Sequence, residues 1–344
     1  MYHHARRGEE RGHMRVRLVA FGTVLLALAG LAAAWFAVLD NGDERFETRV
    51  ALRYATEEGR TVLLEIAPFE PGDNRLRITV LDSDVQPLST DEAVIRLSRP
   101  ESADIVSEAM ASPVNDGRLE AEIALPETGW WEAEVILSEK ESARFYFRLD
   151  RGVEPPLEVA TPDYESDPEG EALYKRALET YETLTTLRWR EQLTSGLLAP
   201  TGIGAWVLTT AEAQAPDRLH YQVGSPGASD YETYSVGERS CSKEAGKDWQ
   251  CSRGSTSDAF DLDYLHPAAF KLGREEIVGG EQSRVLLFYN RSPGAWFAWW
   301  VGVETGLLRR QAMVAPGHYM LTDYFDHNAP FTVEVPQEAR GPGG

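Results

Sequence analysis

Trp296-Phe297-Ala298-Trp299-Trp300-Val301-Gly302-Val303 sets four aromatic residues within eight positions. Aromatic and β-branched residues run without a polar break until Gly302, which favours extended backbone over helix. In a strand, Trp296, Ala298 and Trp300 face one way, and Phe297, Trp299 and Val301 face the other. A strand apolar on both faces needs cover on both. Either both covers are ordinary core, or one face lines a ligand cavity while the other meets a contact surface.

The neighbouring sequence extends this strand into a sheet. Glu304-Thr305-Gly306 turns the chain into a second run at 307–314, and a third precedes it at 284–290. Further strand-like runs fall at 187–194, 203–211, 218–223 and 231–236, with turn chemistry such as Ser225-Pro226-Gly227 between them. Asp263 to Phe270 reads as a short helical turn between strands. Cys241 and Cys251 lie ten positions apart, around Lys243-Glu244-Ala245-Gly246-Lys247. In an oxidising compartment they pair and clip a hairpin. No Cys-x-x-Cys is present, so the pair reads as a staple rather than a redox centre.

One helix precedes these strands. Asp167 caps it, Pro168 suits its first position, and Glu169 and Glu171 complement the positive end of its dipole. Leu173, Tyr174, Ala177, Leu178, Tyr181 and Leu184 share one face, an apolar stripe for packing on the sheet.

The first half reads as strands over 46–149. Leu119, Ala121, Ile123 and Leu125 alternate with Arg118, Glu120, Glu122 and Ala124, and Leu76, Ile78 and Val80 alternate with Arg75, Arg77 and Thr79. Short strands at this spacing predict a β-sandwich. Residues 150–167, with Pro155, Pro156 and Pro162 among acids, form a semi-extended linker to the second domain at 168–336. A disordered tail is expected at 337–344.

Leu18 to Leu39 is uncharged and free of proline, and as a helix it covers about 33 Å, enough to cross a bilayer. Arg6, Arg7, Arg11, Arg15 and Arg17 precede it, and Asp40, Asp43 and Glu44 follow. This asymmetry keeps 1–17 cytoplasmic and exports the rest. A cleaved signal peptide, cut near Ala32-Ala33-Ala34, is the alternative. No cysteine follows the run to carry a lipid.

The chain holds 34 Lys+Arg against 55 Asp+Glu, a formal net charge of −21. Such a balance argues against nucleic acid and anionic headgroups as partners. His220, His266, His318 and His327 are scattered without metal-ligand spacing. No Gly-x-Ser-x-Gly elbow and no phosphate-binding glycine loop appear. Catalytic residues, metals and cofactors are therefore all expected to be none.

Two resemblances add to this reading. PFEPGDNRLRITVLD (68–82) with GRLEAEIALPETGWWEAEV (117–135) resembles the YtkA/CopC-like immunoglobulin-type domains. Copper binding in those relatives uses histidine, with methionine in some. The stretch 46–149 has no histidine and only Met110, so the resemblance implies a scaffold or interaction module rather than a copper site. The second half resembles the LolA/LppX lipoprotein-carrier superfamily. The matching segments, in order, are ALETYETLTTLRWREQ (177–192), APDRLHYQ (215–222), WQCS (249–252), EIVGGEQSRVLLF (276–288), WWVGVETGLLRRQ (299–311) and DYFDHNAPFTVEVP (323–336).

That likeness implies a curved antiparallel half-barrel with a packed helix, whose concave face holds lipid or another hydrophobic ligand; some members instead sense envelope stress. The whole chain is then mainly β: a transmembrane helix at 18–39, an Ig-like sandwich at 46–149 and the LolA-like domain at 168–336. The expected function is non-enzymatic ligand capture, relay or sensing at the outer side of a bacterial membrane. Trp206, Phe288, Trp296, Trp299, Trp300 and Tyr319 are the candidate ligand-binding residues. The alternative is a sensor contacting an envelope protein through an aromatic surface.

Overall fold

A computed structural model describes residues 50–56, 59–82, 86–102, 104–114, 117–149, 166–195, 206–224, 230–253, 266–291, 294–315 and 318–339. The expected membrane segment at 18–39 lies outside them, as do most of the linker and the end of the tail. Among the described residues no helix is long and apolar enough to cross a membrane.

The first nine strands are β1 (Val50–Ala55), β2 (Thr61–Ala67), β3 (Gly72–Leu81), β4 (Pro87–Leu88), β5 (Ala93–Ser98), β6 (Ile105–Pro113), β7 (Leu119–Leu125), β8 (Gly129–Ser138) and β9 (Glu141–Leu149). They pair in the order β1-β2-β3-β7-β6-β5-β8-β9, with β4 on β3. Strand β6 turns the corner: it pairs with β5 along most of its length and with β7 only through Ser112 and Pro113. The sheet thereby folds over itself. Alternation does what the sequence predicts, burying Leu119, Ala121, Ile123 and Leu125 while Glu122 and Ala124 stay exposed.

The second half holds one helix, α1 (Pro168–Glu182), and strands β10 (Thr186–Ser195), β11 (Trp206–Gln214), β12 (Arg218–Gly224), β13 (Tyr231–Val236), β14 (Arg239–Glu244), β15 (Gln250–Arg253), β16 (Pro267–Val278), β17 (Glu281–Arg291), β18 (Gly294–Gly302), β19 (Leu308–Ala315) and β20 (His318–Phe325). They form one antiparallel sheet in the order β15-β14-β13-β12-β11-β10-β20-β19-β18-β17-β16. The chain meanders outward from β10 to one edge, crosses to the other, and meanders back until β20 pairs with β10. Cys241 and Cys251 face each other across β14 and β15 and are bonded, as expected.

Two expectations need correction. Pro267 to Phe270 do not form a helical turn but open β16, where Ala268 pairs with Tyr289. An irregularity follows, with Ala269 at φ 55, and burying Phe270 against the helix outweighs the local helical preference. Gln337–Ala339 is a 3-10 turn rather than disordered tail; Ala339 is buried, and its carbonyl accepts a hydrogen bond from Arg239 at 2.9 Å.

Asp167 caps α1 by accepting from the Glu169 amide at 2.8 Å. The buried face is Gly170, Tyr174, Ala177 and Tyr181, with Leu173 and Leu178 partly covered beside it. Gly170 lets the helix lie close to the sheet: a Cβ there would sit 3.1 Å from that of Phe270.

The described residues fall within one compact unit. The sandwich and the second sheet share a core, in which Trp130 meets Trp296 at 5.2 Å between ring centroids, and Tyr54 and Tyr146 meet Trp300 at 6.4 and 6.0 Å. A polar seam crosses the same junction. The Tyr146 hydroxyl and the Trp300 indole N–H donate to the two oxygens of Glu276, at 2.5 and 2.8 Å. The Arg274 guanidinium grips the buried Glu132 carboxylate.

Candidate functional site

The alternation of the second sheet, followed strand to strand, sorts its residues onto two faces with different fates. On β17 and β18, from Val285 to Tyr289 and from Ala295 to Val301, both faces are closed. One carries Val285, Leu287, Tyr289, Trp296, Ala298 and Trp300, packed on the sandwich. The other carries Leu286, Phe288, Phe297, Trp299 and Val301 beneath α1. There Tyr174 stacks on Trp299 at 5.1 Å, and the Trp299 indole donates to Gln311 at 2.7 Å.

On β10–β13 the faces diverge. The face continuous with the sandwich side carries Arg188, Glu212, His220, Glu232 and Tyr234. It is knit by charge: Arg188 pairs with Glu212 at 2.7 Å, and the ring nitrogens of His220 lie 3.2 Å from Glu212 and 3.0 Å from Glu232. His220 stacks on Tyr234, whose hydroxyl is pushed up to about 12 by partial burial and by Glu232.

The helix-side face of the same strands is apolar. It carries Leu187, Trp189, Glu191 and Leu193 on β10, then Val207, Thr209, Ala211 and Ala213 on β11. Leu219, Tyr221 and Val223 on β12 and Tyr231 and Thr233 on β13 continue it. Leu187 and Ala213 are closed off, Leu187 by Tyr181 and Leu184 at the end of α1. Farther from the helix cover is partial: Trp189, Leu193, Val207, Leu219, Tyr221, Val223 and Tyr231 are all half-buried. Burial pushes the Glu191 carboxyl above the usual carboxylate range; the neighbouring Thr322 hydroxyl opposes this, without the alignment of a full hydrogen bond.

The six residues singled out from the sequence are divided by this geometry. Trp296 and Trp300 lie on the sandwich side, 4% and 1% exposed, and Phe288 and Trp299 lie beneath α1 with no exposure. Trp206 opens β11 opposite Thr194, and Tyr319 pairs with both Thr194 and Val314. The structure does not gather the six at one surface. The half-covered face was missed in the sequence because Glu191, Thr209 and Thr233 interrupt its alternation strand by strand. Stacking four strands in register would have revealed it.

No protein-family model matches the chain, and no curated protein does. About half of the chain is similar to several solved structures. Mycobacterium tuberculosis lipoprotein LppX is 13% identical, over 49% of this chain and 100% of that one, at a TM-score of 0.39. LprF from Mycobacterium bovis is 11% identical, over 50% of this chain and 98% of that one, also at 0.39. A LolA superfamily protein from Nitrosomonas europaea is 12% identical, over 49% of this chain and 96% of that one, at 0.24.

Proposed function

We propose that this chain holds a lipid or other hydrophobic ligand, without catalysis, against the helix-side face of β10–β13. One observation carries the reading: apart from Glu191, Thr209 and Thr233 this face is apolar from Leu187 to Tyr231, yet its apolar residues away from the helix are only half covered. A largely apolar face left half covered is a candidate binding surface. Its neighbour under α1 is filled by Tyr174, Phe288 and Trp299, so ligand capture belongs to the β10–β13 end. The anchor at 18–39, the extracytoplasmic location and the immunoglobulin-type character of the first nine strands belong to the same proposal. It is supported by the apolar span in the sequence and by the folded-over antiparallel sheet.

Native mass spectrometry tests it on the full-length chain, exported so that the disulfide forms and held in amphipol so that no free detergent competes. The expected result is a co-purifying lipid that is lost in Val223→Asp while the fold is kept. A clean apo mass that does not shift on incubation with lipid refutes it.

A partner-binding reading retains one observation of its own. Ile105, Val106 and Met110 on β6 are exposed to 52%, 49% and 63%. That surface, rather than Trp296 and Trp300, is where an envelope protein would have to dock.

A further inference from the structure

From Trp299 to Val223 the apolar face carries one polar rung, with Thr233 on β13 lying one row away. Read across the sheet, one row of helix-side positions runs Trp299, Gln311, Thr322, Glu191, Thr209, Val223. The row on one side is Met313, Met320, Leu193 and Val207, and on the other Tyr324, Trp189, Ala211 and Tyr221. The polar groups thus form a stripe one residue wide between two apolar rows. Gln311 is committed to the Trp299 indole, which leaves Thr322, Glu191 and Thr209 as the members of the row without that commitment. Thr322 is 1% exposed, and its hydroxyl has no properly aligned partner among the described residues.

The charge on this face is equally selective. The helix-side positions of β10–β13 hold no Lys and no Arg; every basic residue of those strands lies on the opposite face. An anionic headgroup laid on the rung would sit beside Glu191 with no cation to pair with, a costly arrangement in an apolar groove. A hydroxyl headgroup meets no such penalty. It donates to a Glu191 oxygen and accepts from Thr322, whose buried hydroxyl is otherwise left short.

We propose that Glu191, Thr322 and Thr209 form a headgroup site that selects uncharged, hydroxyl-bearing amphiphiles over anionic ones, with the acyl chain lying along the flanking apolar rows. This rests on the ligand-binding reading above and names its ligand class. Burial of the Glu191 carboxyl acts in the same direction, since a neutral acid both donates to and accepts from a hydroxyl.

Equilibrium binding of three probes with the same acyl chain tests it: 1-monomyristoylglycerol, methyl myristate and myristate. Each is titrated below its micellar concentration at pH 8 into the full-length chain in amphipol. Trp189, beside the rung, supplies an emission signal. The monoglyceride is expected to bind about tenfold tighter than the other two, the effect of one well-made hydrogen bond in a dry site. Glu191→Leu should erase that preference by weakening the monoglyceride alone, and Glu191→Gln, which keeps the hydrogen bonds, should retain it. Thermal unfolding of each variant separates loss of fold from loss of selectivity. Equal binding of all three probes, or a preference surviving in Glu191→Leu, overturns the headgroup site and leaves the apolar face standing. Binding of none of them overturns both.

Discussion

Replacing Arg274 by Met removes the main partner of a carboxylate that has no solvent of its own. The Glu132 side chain is 0% exposed and Arg274 is 29% exposed, so the loss falls on an anion sealed between the sandwich and the second sheet. Arg144 remains 3.8 Å away and limits the damage. Breaking a buried pair on one side costs 3–5 kcal/mol; with Arg144 still near, about 3 kcal/mol is expected at neutral pH.

The pH dependence follows from the direction in which Glu132 is displaced. Burial raises its carboxyl, opposed chiefly by Arg274. An acid raised in the folded state binds its proton more tightly there than in the unfolded chain. Its linked stability is therefore full below the unfolded pKa of about 4.3 and is lost as pH rises through the folded value. In Arg274→Met the folded value climbs further, so the deficit is deepest at pH 7.5. Once pH falls below the variant's folded value, the deficit should shrink by roughly 1.4 kcal/mol per unit until it is gone. Urea unfolding followed by circular dichroism at pH 7.5 and pH 5 measures both. A loss under about 0.5 kcal/mol, or an equal loss at the two pH values, would refute a buried charge pair holding the two halves together. Adding Glu132→Gln should recover most of the stability, because it removes the stranded charge.

Gly273→Ala would place a Cβ 2.9 Å from that of Val285 in the shared core, so a cost of about 1–3 kcal/mol is expected in thermal unfolding. No loss would mean that β16 has room to move. Replacing Cys241 and Cys251 by Ser opens a loop of sequence separation 10, worth roughly 2–3 kcal/mol by the chain-entropy estimate. Hydrogen exchange should rise in β14 and β15, because β15 pairs with β14 alone. Faster exchange spread through β16–β19 would contradict a local staple.

Much of the local structure was legible in the chain. The capped helix begins at Pro168 as its sequence requires, and alternation places the strands at 296–303 and 307–314 within a few residues. Alternation also assigns Trp299 and Trp300 to opposite faces. What it does not carry is the identity of the cover on each face. The partners of Trp300 are Tyr54 and Tyr146, brought from far earlier in the chain by the docking of one sheet on another. The linker at 150–167 marked a boundary between two domains; their facing surfaces share aromatic and charged contacts that no local pattern encodes.

The elements, their faces, the disulfide and the acidic, mainly β character can all be read from the chain. These depend on neighbours within a turn or a strand, and backbone sterics and side-chain period act over that range. Tertiary structure alone decided which apolar faces were filled and which stayed half open. That outcome depends on how far α1 reaches across the sheet and where the sandwich docks. The helix ends near Leu187, the sandwich covers the opposite side of β16–β18, and the helix-side face of β10–β13 is left as apolar surface that neither element reaches in full.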